Sequence, residues 1–122
     1  MSENSVVDES RLDSLYKILT DRLGPILDSF ERSASSNLGL LRESMVSGDR
    51  EVFQRAAHSI KGSAANYSAI RLQTLCAELE ADSEEAIPGD ASERVDILAR
   101  EAEQVVGAIR VWRAAKGMAP AE

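Results

Sequence analysis

The chain has 122 residues, enough for one domain with a single modest core and too few for two. Lys and Arg total 14 against 21 Asp and Glu, a net charge of −7 with no basic run, which excludes the clustered positive charge that nucleic acid backbones require. With 43% hydrophobic residues the chain is not disordered throughout, and with only 4% aromatics its core must be built mostly from Leu, Val, Ile and Ala.

Residues 1–7 read as a flexible tail. From there the apolar positions keep helical spacing nearly to the end, and Ala, Leu, Glu and Arg dominate, which favours helix over strand. Leu12, Leu15, Tyr16 and Leu19 define a short first helix, with Asp8 or Ser10 as its cap. A longer helix runs from Gly24-Pro25 to Val46 with Leu27, Phe30, Ala34, Leu38, Leu41 and Met45 on one stripe, and proline is tolerated in its first turn. Ser47-Gly48-Asp49 supplies a turn and the next cap. The third helix keeps Val52, Phe53, Ala56, Ile60 and Ala64 inward until Asn66-Tyr67-Ser68 interrupts it. A fourth carries Leu72, Leu75, Cys76 and Leu79 and stops before Ile87-Pro88-Gly89. The lone Cys76 cannot form an internal disulfide and, set among leucines, reads as a core filler. Asp90 with Glu93 resembles a capping box opening a fifth helix, which buries Val95, Leu98, Ala102, Val105, Ile109 and Trp112 and is closed by Gly117.

Four amphipathic helices with short loops bury their stripes against one another. The expected fold is therefore all-α: an antiparallel four-helix bundle over residues 8–117 with a short additional N-terminal helix, followed by a tail at 118–122. Stripes that satisfy each other within one bundle lead to the expectation of a monomer. No charged-then-apolar leader and no long apolar span is visible, so the chain is expected to be soluble and cytoplasmic, with no membrane partner.

The third helix is the informative one. At about 100° per residue its apolar stripe centres on Ile60, and His58, the only histidine, falls nearly opposite and faces solvent. Gln54 lies one turn before it, Arg55 at i−3, Lys61 at i+3, Gly62 one turn after and Ala65 at i+7. Glycine inside a helix costs about 1 kcal/mol relative to alanine, so Gly62 needs a reason, and close approach of a partner to the imidazole is one. Lys61 places a positive charge where a phosphoryl group on His58 would sit. Ser63 projects towards the bundle and reads as structural. Taken singly, an exposed histidine or lysine is most often an idle surface residue. The set carries the signal.

The stretch Ala57-His58-Ser59-Ile60-Lys61-Gly62-Ser63-Ala64 resembles the signature of the histidine phosphotransfer (HPt) domain family, usually AHxLKGS. The resemblance continues through Ala69, Leu72, Cys76 and Leu79-Glu80, where the family commonly has a GAxxL…CxxLE run, and upstream through the Ser47-Gly48-Asp49 turn, Phe53 and Ala56. It spans residues 10 to 115. It implies that His58 is a phosphoacceptor, that Lys61 and Gly62 accompany the phosphate site, and that Glu80 bonds the imidazole so that Nδ1 keeps its proton and Nε2 is the nucleophile. Gln54, Arg55, Ala65 and Arg71 are the expected docking surface. One departure stands out: Ser68 occupies the family's usual glycine, and if the turn needs a positive φ, Asn66 is the alternative residue to adopt it.

The implied partners are response-regulator receiver domains and a sensor or hybrid histidine kinase. No cofactor is expected on this chain, and the Mg²⁺ of the reaction belongs to the receiver. The expected role is that of a phosphoryl carrier rather than an enzyme: no Gly-rich nucleotide loop is visible, and Ser59 follows the histidine where kinases usually have an acidic residue. One histidine and one cysteine on different faces make no metal site. The competing reading is a non-catalytic helical adaptor that binds a receiver or kinase without carrying phosphate.

Overall fold

The computed structural model describes residues 6–118. Its elements are α1 (Glu9–Leu19), a 3-10 turn (Thr20–Arg22), α2 (Leu23–Ser47), α3 (Arg50–Ala65), α4 (Ile70–Asp82) and α5 (Ala91–Ala115), with no strand among the described residues. Helices α2 to α5 form the antiparallel bundle, α2 packing on α3, α3 on α4, α4 on α5 and α5 back on α2. The fold class expected from the sequence is the one observed.

Local chemistry sets the boundaries. Asp8 caps α1 by accepting from the Ser10 amide, and Asp49 caps α3 by accepting from the Val52 amide. Gly48 ends α2 in the left-handed region at φ 76°, where a side chain would be strained. The start of α2 lies one residue earlier than Gly24, at Leu23, because the 3-10 turn runs directly into it. Helix α4 stops at Asp82, and Ser83 folds back with its hydroxyl on the Leu79 carbonyl at 2.6 Å. The capping box at Asp90 does not form. Asp90 has φ −96° and ψ 17° rather than an extended backbone, and its carboxylate faces Arg94 instead.

In the turn after α3, Ser68 itself takes the positive φ, at 50°, while Asn66 stays right-handed at −61°. The chain thus makes with a serine the turn for which glycine is the unstrained choice. Tyr67 beside it is buried edge-on against Phe30, ring centroids 4.9 Å apart.

Helix α1 lies across the bundle end that holds the α3–α4 turn and the end of α5. Its entry is fastened to that turn by the Asp8 amide on the Tyr67 carbonyl and by Arg11 on the Asn66 carbonyl. Its far side meets α5, where the Trp112 indole donates to Asp13 at 2.9 Å and Tyr16 packs edge-on against the same ring. Val7, expected in the N-terminal tail, is 2% exposed and belongs to the core, with Val6 packed against it. Met118, the first residue of the expected C-terminal tail, also packs on the core. The remainder of both tails, 1–5 and 119–122, lies outside the described residues.

On α3 the buried row is Phe53, Ala56, Ala57, Ile60 and Ala64. Ala57 replaces the expected Val52, which is half-buried, because the row tilts towards α4. This tilt leaves His58 on the outer side of the α3–α4 seam.

Candidate phosphoacceptor site on the seam of α3 and α4

His58 projects from the middle of α3 with its side chain 62% exposed. Across the seam, Glu80 rises from the last turn of the antiparallel α4 and brings one carboxylate to two cationic or donor groups. Its Oε2 lies 2.7 Å from His58 Nδ1 and its Oε1 accepts from Lys61 Nζ at 2.6 Å. The Lys61 bond is the main cause that holds the Glu80 carboxyl below its ordinary value, with the His58 bond adding to it and burial opposing both. An ionised carboxylate only accepts hydrogen bonds. His58 Nδ1 must therefore carry a hydrogen, and in the neutral ring Nε2 presents its lone pair to solvent.

The surroundings divide by side. Gly62, one turn beyond His58, is exposed, and a Cβ built on it meets nothing within 4 Å, so nothing inside the chain requires its lack of a side chain. Ala65 is exposed a further turn along the same face. Towards the start of α3 a shallow depression of about 390 Å³ opens beside the imidazole, lined by Arg50, Glu51, Gln54, Arg55, His58 and Glu80. Arg55 is exposed there. Gln54, expected to face a partner, is committed to α4: its Nε2 donates to the Glu80 carbonyl at 3.1 Å.

Arg71 does not join this face. It lies nine residues before Glu80, about 180° around α4, and its guanidinium donates to Glu101 on α5 at 3.2 Å. Arg50, which the sequence reading passed over, does line the site. It lies one turn before Gln54 and two before His58, so carrying the helical spacing one turn further would have reached it, whereas its bond to the Ser83 carbonyl depends on the packing of α3 on α4. Beneath the seam Cys76 is buried, and its thiol is pushed up to about 12, first by that burial and then by the charge of Glu80. It is a packing residue without thiolate character near neutral pH. Among the described residues no group of three or more His, Cys, Asp and Glu side chains is disposed to hold a metal ion.

Compared with protein-family models, residues 25–112 match the Hpt domain. The chain belongs to the Hpt domain family. The matched span runs from the first turn of α2 to Trp112 near the end of α5, so it takes in the whole bundle and the His58 seam. Among solved structures, this Hpt domain is similar to histidine-containing phosphotransfer protein B (HptB) from Pseudomonas aeruginosa PAO1. The TM-score is 0.82 at 24% sequence identity, covering 94% of this chain and 97% of that one. The structural likeness covers more of the chain than the family match, which leaves α1 outside it. A comparison with curated proteins finds no match.

Proposed function

We propose that this histidine phosphotransfer protein carries a phosphoryl group on Nε2 of His58 within a phosphorelay, taking it from a receiver-domain phosphoaspartate and giving it to the aspartate of another receiver. The observation that carries the reading is the shared carboxylate of Glu80, which fixes the Nδ1 hydrogen and leaves Nε2 exposed on the outer face of the bundle.

The chemistry follows from that arrangement. Nε2 attacks phosphorus in line, the Nε2–P bond forms as the aspartyl O–P bond breaks, and the carboxylate of the partner leaves. Positive charge develops on the imidazole ring, and the Glu80 carboxylate against Nδ1 offsets it. Lys61, on the other oxygen of Glu80, supplies positive charge for the phosphoryl oxygens. Positioning and charge compensation are most of what phosphoryl transfer asks of a protein. Mg²⁺ remains with the receiver, and this chain contributes no nucleotide site. Gly62 and Ala65 leave room for the partner, and Arg55 lies at the edge of its footprint.

The carrier acts as a monomer, since the four apolar stripes bury one another, and in the cytoplasm, where receivers and kinase output domains meet. No helix among the described residues is long and apolar enough to cross a membrane. The adaptor reading has no observation in its favour, because it leaves the Glu80–His58–Lys61 grouping without a purpose.

The test is transfer. Mixing the protein with a panel of labelled, phosphorylated receivers should give acid-labile, base-stable label on the wild type and none on His58→Gln. Absence of label on the wild type across the panel would leave the adaptor as the better account.

A further inference from the structure

Glu80 orients His58, but Glu80 is itself carried on a helix end that its own sequence disfavours. The last turns of α4 hold Glu78, Glu80 and Asp82, and its last turn contains no basic residue. Acidic groups near a helix C-terminus are opposed by the helix dipole, and the terminal carbonyls lack intrahelical donors. Left to itself this end should fray, and the carboxylate with it.

Ser83 closes part of this end, its amide donating to the Glu80 carbonyl at 3.2 Å and its hydroxyl to that of Leu79; further donors and a positive charge come from the first two turns of α3. Gln54 Nε2 donates to the carbonyl of Glu80 at 3.1 Å. Arg50 Nη1 donates to the Ser83 carbonyl at 3.0 Å and to Gln54 Oε1 at 2.9 Å. Arg50 therefore supplies a cation to the end of α4 and holds Gln54 in the pose that reaches Glu80. Ser83 is fully buried, so the loop after α4 is pinned where Arg50 meets it. On the far side Arg94 of α5 pairs with Asp82 at 3.0 Å, which offsets that one charge but touches neither Glu80 nor its carbonyl.

We propose that Arg50 and Gln54 are positioning residues for phosphoryl transfer: by capping α4 across the seam they fix Glu80, and through Glu80 they set which imidazole nitrogen of His58 reacts. The inference rests on His58 being the phosphoacceptor, yet its geometry can be read without any transfer. Neither residue touches the reacting nitrogen, and Arg50 and Gln54 are half-buried at the surface rather than in the core, so their loss leaves the bundle folded.

The experiment is nitrogen NMR of the imidazole in the full chain, above the pH at which it protonates, for wild type, Arg50→Ala, Gln54→Ala, Arg50→Lys and Glu80→Gln. Phosphorylation by phosphoramidate is followed in parallel. That small donor needs no docking surface; its P–N bond breaks as Nε2–P forms, and ammonia leaves. The wild type should hold the hydrogen on Nδ1. Arg50→Ala and Gln54→Ala should mix the two tautomers and slow labelling by about three- to tenfold, less than the 10- to 100-fold typical of groups that touch the reacting residue. Glu80→Gln should lose the fixed tautomer, because its single amide oxygen is taken by Lys61 and its NH₂ then faces Nδ1, and Arg50→Lys should recover part of the Arg50→Ala loss. Unchanged tautomers in Arg50→Ala and Gln54→Ala, with helicity retained, would overturn the proposal while leaving the phosphoacceptor assignment standing. A wild type whose tautomer is fixed but which takes no label from any donor would instead overturn the assignment on which the proposal rests.

Discussion

Two seams of this bundle carry depressions of nearly the same size and opposite character. The one between α2 and α5, of about 410 Å³, is lined mostly by small and apolar side chains such as Ala34, Ala102, Val106 and Gly107, and a single ion pair, Arg110 to Glu31 at 2.6 Å, bridges its rim. The one beside His58, of about 390 Å³, is lined almost wholly by polar groups that are bonded to one another. Volume does not distinguish a site from a groove here. The difference lies in convergence: Arg110 and Glu31 join two helices and stop, whereas Glu80 gathers a lysine and a histidine and leaves one lone pair of that histidine facing outward.

Substitutions can break this contrast. The largest effect is expected at Gly62, where a side chain would stand in open space beside the imidazole. Gly62→Leu should leave the melting temperature unchanged or raised, since glycine is a poor helix residue, and should cut transfer from a receiver on the order of 100-fold by displacing the partner. Equal transfer by this variant would mean that the partner does not approach over Gly62. Glu80→Ala comes next, with a loss of about 10- to 100-fold in transfer rate, measured with the same receiver. At the opposite seam Arg110→Ala should leave transfer untouched and cost less than about 1 kcal/mol by denaturant unfolding, as exposed ion pairs do.

Much of this arrangement is legible in the sequence because helices translate spacing into direction. The 100° projection alone puts His58 opposite Ile60, and the structure finds Ile60 at 1% exposure and His58 in solvent. The same arithmetic would have removed Arg71 from the docking face, nine residues and half a circle from Glu80, had it been applied along α4 as well as α3. Arg50 and Gln54 are different in kind. Their partners lie 33 and 26 residues away on another helix, and the register between α3 and α4 depends on how Ala57 and its neighbours pack, which no periodicity within one helix reveals. Asp90 failed as a cap for a backbone reason, a φ and ψ outside the extended region, that its residue type does not disclose.

The turn at Ser68 gives a smaller test of the same point. A serine at φ 50° is strained where glycine would not be, so Ser68→Gly should stabilise the protein by about 1 kcal/mol without altering transfer, read by denaturant unfolding alongside the receiver assay. The smallest effect concerns pH. The Glu80 carboxyl is depressed below its ordinary value of 4.5, chiefly by Lys61. A depressed folded value means that its stabilisation is complete above the ordinary range and is lost as pH falls through the depressed value. The tie between α3 and α4 should therefore persist at neutral pH and loosen only below 4.5, and Lys61→Ala should move the Glu80 midpoint back up in a carbon NMR titration. A midpoint unaffected by Lys61→Ala would separate the lysine from the carboxylate in solution.

The central claim is that Nε2 of His58 is the atom that carries phosphate, and it is tested most directly by locating the phosphoryl group after transfer from a receiver. Phosphorus and nitrogen NMR on protein with an isotope-labelled imidazole should show one phosphorus bonded to Nε2, with the hydrogen still on Nδ1 against Glu80. A phosphoryl group on Nδ1, or on any residue other than His58, would contradict the account.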